Sequence, residues 1–520
     1  MTSETSALQA SGKAPKSSSW KLFTSPLIGI AAGAFVWVNV KTAMLVAPWL
    51  DEVYYSDAGI NLHLGKGWTT TACTSQSQLE FYASNNQIYA LFVYWWASLV
   101  GIAPAALRSL NYVLVLVACW IIVDACRRMG AVKSFWAQLL LAAIIVCDQA
   151  VTFVYRMARP DLVTMSAVAI LFWVYVCVQN PRRRRILLFV CALPLVASGI
   201  QAIPYIFFLF CFDYLVERKL HFKSRLWDIA ATVAGTVAGG ALLMAMFALK
   251  HALTAFITLT FASGFNIVGS GLQVLILRDS AAVSRFMQIV GGLSPVSIVQ
   301  NIARDRSLLP LIAFLLIVVA VYFRAKDSRL KTLAIYGLIV TLLIPYGMSA
   351  AGRYQIYYSW MTAVPLAVLF AVTLDRCWSE KARLLTFCGI AAGIAAIVLG
   401  MPRMIWDEAH AVSPDAYSIA AQQFHREVRP GDTIYGDEIF YFFAQAEGIP
   451  FMSENYSGGR GYRVMRDDER AKVSVLILQP WEIPFAEDRV GGSWTKVDEL
   501  QSPYGFPLIV MRRAGAASGS

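Results

Sequence analysis

The chain is short of charge: Asp, Glu, Lys and Arg make up 15% of its 520 residues, where a soluble globular chain carries about 25%. Histidine is scarcer still. The five histidines, His63, His221, His251, His410 and His425, include no two at metal-ligand spacing, which leaves a histidine-built metal centre unsupported. Of nine cysteines, only Cys73 falls in a polar loop; the rest lie in or beside apolar runs. Neither a disulfide framework nor a thiolate metal site fits that distribution. The sequence has no Walker A loop, no dinucleotide-type glycine fingerprint after a strand and no G-x-S-x-G, so a nucleotide-driven mechanism lacks its usual loop. It has no repeat of fixed period either.

What it has is apolar length. Hydrophobic residues make up 58% of the chain and the mean hydropathy is +0.56. Many runs are about as long as the roughly 20 residues that cross a bilayer. Eleven spans can be drawn, at 23–47, 107–126, 135–155, 162–179, 186–199, 201–216, 226–249, 307–323, 332–349, 357–374 and 384–401. The first is too long for a signal-peptide core and is followed at once by Pro48, so an uncleaved first span after a polar tail, 1–22, is expected. A net charge of +11 would point to nucleic acid in a soluble protein. Here the basic residues cluster between apolar runs, as membrane topology requires, and no nucleic-acid partner is expected.

Alternating the spans from a cytoplasmic N-terminus places Arg127, Arg128 and Lys133, the run Arg182 to Arg185, Arg218 and Lys219, Arg324 and Lys326, and Arg376 and Lys381 on the inside. The short outer turns hold few basic residues beyond Arg156, Arg159 and Arg353. A further apolar stretch, 87–103, carries Tyr94, Trp95 and Trp96. Counting it as a span would reverse the bias, so it is expected to lie at the outer interface, where Trp and Tyr are favoured. Long outer loops are then 48–106 and 250–306. From 406 the chain turns polar, with a helix expected over 415–428 and strands over 433–436, 473–478 and 507–511. The expected fold is a polytopic α-helical membrane domain, 23–405, with a small α/β domain, 406–520, outside the cytoplasm.

Ionisable residues at a bilayer boundary are expensive and mark function by default. Three groups fall on the outer side. Asp51 and Glu52 follow Pro48-Trp49-Leu50 at the end of the first span. They fit either a solvated helix start or a base with its orienter or cation ligand. Arg156-Met157-Ala158-Arg159-Pro160-Asp161 forms the turn after the third span. Pro160 and Asp161 suit the start of a helix, whereas two outer arginines suit a phosphate or anionic headgroup. The third group is Gly352-Arg353-Tyr354-Gln355-Ile356-Tyr357-Tyr358. It reads either as an aromatic belt with a snorkelling arginine or as a phosphate-binding cation among rings.

Taken together, these residues resemble the GT-C superfamily of membrane glycosyltransferases. The resemblance rests on the Asp51-Glu52 pair ending the first span, the aromatic interfacial stretch, Leu107-Arg108 opening the next span and Arg127-Arg128 closing it, and Ala158-Arg159-Pro160-Asp161. Within the superfamily it is closest to the branch of protein O-mannosyltransferases and the lipid A aminoarabinose transferase. It covers roughly 25–215 and loosens beyond. One departure is Ser84-Asn85-Asn86-Gln87-Ile88-Tyr89, where many relatives carry a Pro-Pro-Leu-type stretch.

The resemblance implies transfer of a sugar, with inversion, from a polyprenyl-phosphate carrier to a lipid, glycan or protein acceptor on the periplasmic side of a bacterial inner membrane. Asp51 is then the general base, and Glu52 orients the acceptor or a divalent cation. Arg159 and Arg353, with Arg156 and Tyr354, hold the donor phosphate. Asp161 braces Arg159 or binds acceptor, and Tyr55, Lys66 and His251 are expected around the acceptor. The 250–306 loop is expected to cover the site and exclude water. A transporter or flippase would want acids near mid-bilayer and related halves, which the chain lacks. A ligase or polymerase of lipid-linked glycans differs only in taking an oligosaccharide donor.

Overall fold

In a computed structural model the described residues are 26–71, 80–84, 86–199, 222–260, 294–351, 356–453 and 467–514, with Val283 and Met287 between them. The expected span 201–216, the tail 1–22 and most of the 250–306 loop lie outside them. Each of the other apolar runs is helical. They comprise α1 (Pro26–Thr42), α2 (Leu50–His63), α3 (Gln87–Val100), α4 (Pro104–Arg128), α5 (Phe135–Cys147), α6 (Gln149–Arg156), α7 (Asp161–Cys177), α8 (Pro181–Ala192) and α9 (Phe222–Leu249). There follow α10 (Leu308–Val321), α11 (Arg329–Ala351), α12 (Trp360–Ser379), α13 (Arg383–Leu399) and α14 (Met401–Ala411). Among the described residues six helices are long and apolar enough to cross a membrane, or seven if α5 and α6 form one bent span. The chain is a multi-pass membrane protein.

Local chemistry sets the ends and breaks. Pro104 opens α4 at a position where its missing N–H is no loss. Arg127 and Arg128 close the same helix, where they favour its dipole and pair with Asp124 at 2.5 and 2.6 Å. The expected span 135–155 is bent by 54° between α5 and α6. The cause is Asp148, whose Oδ1 accepts from the backbone N–H of Ala150 (2.9 Å) and Val151 (3.0 Å). A capping carboxylate inside an apolar run ends one helix and starts another. The stretch expected at the interface is α3, a helix of 14 residues. It packs against α2 at Gly59, where any Cβ would stand 2.3 Å from the Ala90 carbonyl oxygen.

α4 fixes the ends of the bundle. Arg108 lies near its N-terminal end and Arg127 and Arg128 in its last turn, about 30 Å apart at 1.5 Å per residue. The end that carries Arg108 also carries the small domain. That domain holds α15 (Ala416–Glu427), β1 (Ile434–Gly436), α16 (Tyr441–Ala446), β2 (Phe451–Ser453), α17 (Asp467–Lys472), β3 (Val475–Leu478), α18 (Ile483–Val490), β4 (Trp494–Gln501) and β5 (Pro507–Arg513). The sheet order is β2-β1-β3-β5-β4, with β1 parallel to both neighbours and β5 antiparallel to β3 and β4.

The domain is not tethered loosely. Phe424, Ile439, Phe440 and Phe442 share a hydrophobic core with Val53, Ile60, Tyr89 and Val93 of α2 and α3. At its centre Asp57, fully buried, accepts from Thr70 Oγ1 (2.7 Å), the Thr71 N–H (2.5 Å) and the Tyr441 hydroxyl. Lys66 Nζ donates to Gln445 Oε1 at 2.8 Å, and Gln445 Nε2 donates to Thr71 Oγ1 at 3.2 Å. Burial lowers the Lys66 pKa, and nearby Asp57 opposes that shift. Tyr441→Phe removes one donor from a buried carboxylate and is expected to destabilise the docked domain by about 1–3 kcal/mol. Limited proteolysis should then cut the domain faster; an unchanged cleavage rate contradicts the docking role.

Candidate active site

The short link from α1 to α2 presents Asp51 and Glu52 side by side on the first turn of α2. Adjacent helical residues point about 100° apart, so the two carboxylates meet different neighbours. Glu52 turns inward to Arg108 of α4. Arg108 Nε donates to Glu52 Oε1 at 2.8 Å and Nη2 to Oε2 at 2.6 Å, with both side chains buried. The same guanidinium donates to the carbonyls of Ala43, Val46 (3.0 Å) and Ala47 (3.3 Å). That fork-to-fork pair therefore fixes the chain where it leaves α1. The geometry gives Glu52 a bracing position rather than one facing acceptor or cation. Among the described residues no three His, Cys, Asp or Glu side chains converge as metal ligands. With Glu52 committed to Arg108, the described residues fit a divalent cation poorly.

Asp51 stands on the other side, with its side chain 16% exposed and paired to Arg159 Nη1. Burial raises its pKa, while the Arg159 charge and hydrogen bond oppose the shift. Arg159 itself is 1% exposed. Its Nε donates to Asp161 Oδ2 at 3.0 Å, and Trp360 Nε1 donates to Asp161 Oδ1 at 3.1 Å. The guanidinium lies 3.8 Å from the Tyr357 ring centre, with Trp49 and Tyr358 at 5.6 and 5.7 Å. Three rings and two carboxylates thus hold one arginine, a setting in which cation–π attraction is strong because water is excluded. Tyr55 lies near this guanidinium and packs edge-on against Tyr54.

Arg156 is buried in a different set. It donates to Asn39 Oδ1 (3.2 Å), to Thr42 Oγ1 (2.9 Å) and carbonyl (3.0 Å), and to Glu408 of α14. It joins the end of α1 to α14, and those contacts leave it a structural staple more than a phosphate ligand. Lys66 faces the small domain, as described above. His251 is exposed, at a φ of +55° just past α9, and makes no hydrogen bond or ion pair with the other candidates among the described residues. Arg353 and Tyr354 lie outside the described residues.

The structure thus brings together Asp51, Arg159, Asp161 and Tyr55. Two residues of this site were not among the sequence candidates, Arg108 and Trp360. For Arg108 a signal was present: a charge near the start of a long apolar helix needs a partner. Trp360 carries no such signal, because a Trp near a bilayer boundary is commonplace.

A multi-helix membrane domain, an acid–arginine–acid cluster at the end nearest the small α/β domain, and an aromatic helix beside it belong to one architecture: the chain has the GT-C fold. The sequence matches no family model and no curated relative. Among solved structures it is similar to ArnT from Cupriavidus metallidurans bound to undecaprenyl phosphate. That match has 13% identity and a TM-score of 0.56 and covers 95% of this chain and 99% of that one. The apo ArnT structure from the same organism matches at 12% identity and a TM-score of 0.57, over 94% of this chain and 97% of that one.

Proposed function

We propose that the protein is an inverting glycosyltransferase that moves a sugar from a polyprenyl-phosphate carrier to an acceptor hydroxyl at the outer face of a bacterial inner membrane. The observation that carries this reading is the pairing of Asp51, part-exposed, with Arg159, a buried arginine fixed between Asp51 and Asp161 at a bilayer boundary. A sugar hydroxyl is a poor nucleophile until a base takes its proton. A lipid phosphate leaves only where its developing charge is met by a placed cation. The cluster supplies both.

In the proposed step the acceptor oxygen attacks the anomeric carbon from the face opposite the carrier. The carbon–oxygen bond to phosphate breaks and its electron pair leaves with polyprenyl phosphate. The acceptor proton passes to the Asp51 carboxylate. Arg159 Nη2 donates to none of the described residues and is the edge available to the leaving phosphate. Arg353 and Tyr354 keep a phosphate-binding role in this reading, their sequence neighbour Tyr357 covering Arg159. Asp161 and Trp360 brace Arg159, and Glu52 with Arg108 braces the turn that carries Asp51. The match to a structure holding undecaprenyl phosphate supports the carrier class.

Arg127, Arg128 and Arg182 to Arg185 lie at the end away from the small domain, which supports a cytoplasmic N-terminus and an outer 406–520 domain on the 23–405 membrane domain. Purified protein incubated with defined polyprenyl-phosphate monosaccharides should release free polyprenyl phosphate and glycosylate an acceptor lipid, glycan or protein. Activity only on oligosaccharide donors would make it a ligase. Movement of intact donor between vesicle leaflets without cleavage would make it a flippase.

A further inference from the structure

The turn that presents Arg159 is strained. Ala158 has a φ of +45°, in the left-handed region that a residue with a Cβ adopts only at a cost. Strain of this kind persists where the surroundings over-determine the backbone, and it gathers at functional sites. Here two helices do the determining. From α3 the Tyr89 hydroxyl donates to the Ala158 carbonyl. From α4 Asn111 Nδ2 donates to the Arg159 carbonyl at 2.9 Å. The Arg159 N–H donates to the Val154 carbonyl at 3.1 Å, closing the turn from behind. Tyr89, Asn111 and Ala158 are all buried, at 1%, 0% and 0% exposure. The two carbonyls that flank the Arg159 Cα are therefore each tied to a different helix. The direction in which the Arg159 side chain leaves the backbone is set by those ties.

We propose that Tyr89 and Asn111 are positioning residues for the transfer reaction: they hold the left-handed turn at Ala158 so that Arg159 is fixed between Asp51 and Asp161 before substrate arrives. The proposal rests on the glycosyl-transfer reading above. Neither side chain touches Asp51; each acts through the backbone of the turn. The groups that set the charge state of Asp51 are Arg159 and Asp161, with Tyr55 and Tyr358 near Arg159 and Glu52 turned away to Arg108. A turn that relaxes moves Arg159 off Asp51 and removes the opposite charge that favours its carboxylate.

The test compares Tyr89→Phe, Ala158→Gly and the double variant with wild type. Phenylalanine keeps the ring and removes only the hydroxyl. Glycine takes the left-handed conformation without steric cost, so a turn with glycine in place of Ala158 should hold its shape without the hydroxyl. Y89F is expected to lower kcat/KM for donor consumption about tenfold and to move the acid limb of its pH profile upward. The double variant should recover most of both, measured against A158G alone. Carbodiimide coupling of Asp51 as a function of pH, read by peptide mass spectrometry, should shift and recover in the same pattern without any need for turnover. An inactive wild type would sink the transfer reading, and the labelling midpoints would still decide the positioning claim.

A Y89F loss that is equal in the wild-type and A158G backgrounds overturns the proposal, because the hydroxyl then does not act through the turn. Unchanged labelling and kinetics in Y89F overturn it as well. Should Y89F fail to accumulate folded protein, its recovery in the double variant supports the proposal and failure to recover contradicts it.

Discussion

Asp51→Asn is expected to lower sugar transfer by about 10²- to 10⁴-fold, the contribution of a placed general base, without weakening the fold. The second half follows from the sign of its titration. Burial raises the Asp51 pKa in the folded protein, so the folded state binds this proton more tightly than the unfolded chain does. Stability from this group is present below the ordinary carboxylate pKa and is lost as pH rises through the raised one. Above that raised pKa the ionised carboxylate is a liability that asparagine removes. Arg159 keeps Asp161, Trp49 and Tyr357 as neighbours. The melting temperature in detergent should hold or rise while activity disappears. Activity itself needs the ionised form, so the wild-type rate should fall on the acid side at a pH above the usual carboxylate range. A large drop in melting temperature for Asp51→Asn would mark the residue as structural.

Arg108→Ala is expected to do the reverse, removing stability first. Breaking a buried ion pair from one side leaves a charge without a partner, at about 3–5 kcal/mol. Here it also frees the carbonyls of Ala43, Val46 and Ala47. Glu52→Gln should be milder, because Gln still accepts one hydrogen bond from Arg108. Replacing both residues, as Glu52→Leu with Arg108→Met, should recover much of the loss, since apolar substitutes for a buried pair are often near neutral. A double-mutant cycle on thermal stability measures the coupling. If Arg108→Ala melts like wild type but fails in catalysis, Glu52 and Arg108 belong to the chemistry and not to the brace.

Much of this is readable in the sequence. Apolar length and the placement of Arg182 to Arg185 gave the helices, and the Trp-rich stretch gave α3, because both signals depend on composition over a window. Asp51, Arg159 and Asp161 could be singled out because charge at a bilayer boundary is costly and so rarely idle. What could not be read was who pairs with whom. Glu52 finds Arg108 56 residues later, and Asp57 finds Tyr441 384 residues later; no local pattern encodes either. The break at Asp148 was hidden because a single capping acid alters an average over about twenty residues very little. β4 was missed for another reason. Trp494–Gln501 is an edge strand carrying Lys496, Asp498 and Glu499, and charge on an edge discourages aggregation while it masks the strand's apolar alternation.

The most direct test of the account is a structure of the Asp51→Asn protein with an uncleaved polyprenyl-phosphate monosaccharide bound. The account predicts the donor phosphate against Arg159 beneath Tyr357, with the anomeric carbon facing residue 51 across the gap an acceptor hydroxyl would fill. A phosphate seated instead at the opposite end of the bundle, among Arg127, Arg128 and Arg182 to Arg185, would contradict it.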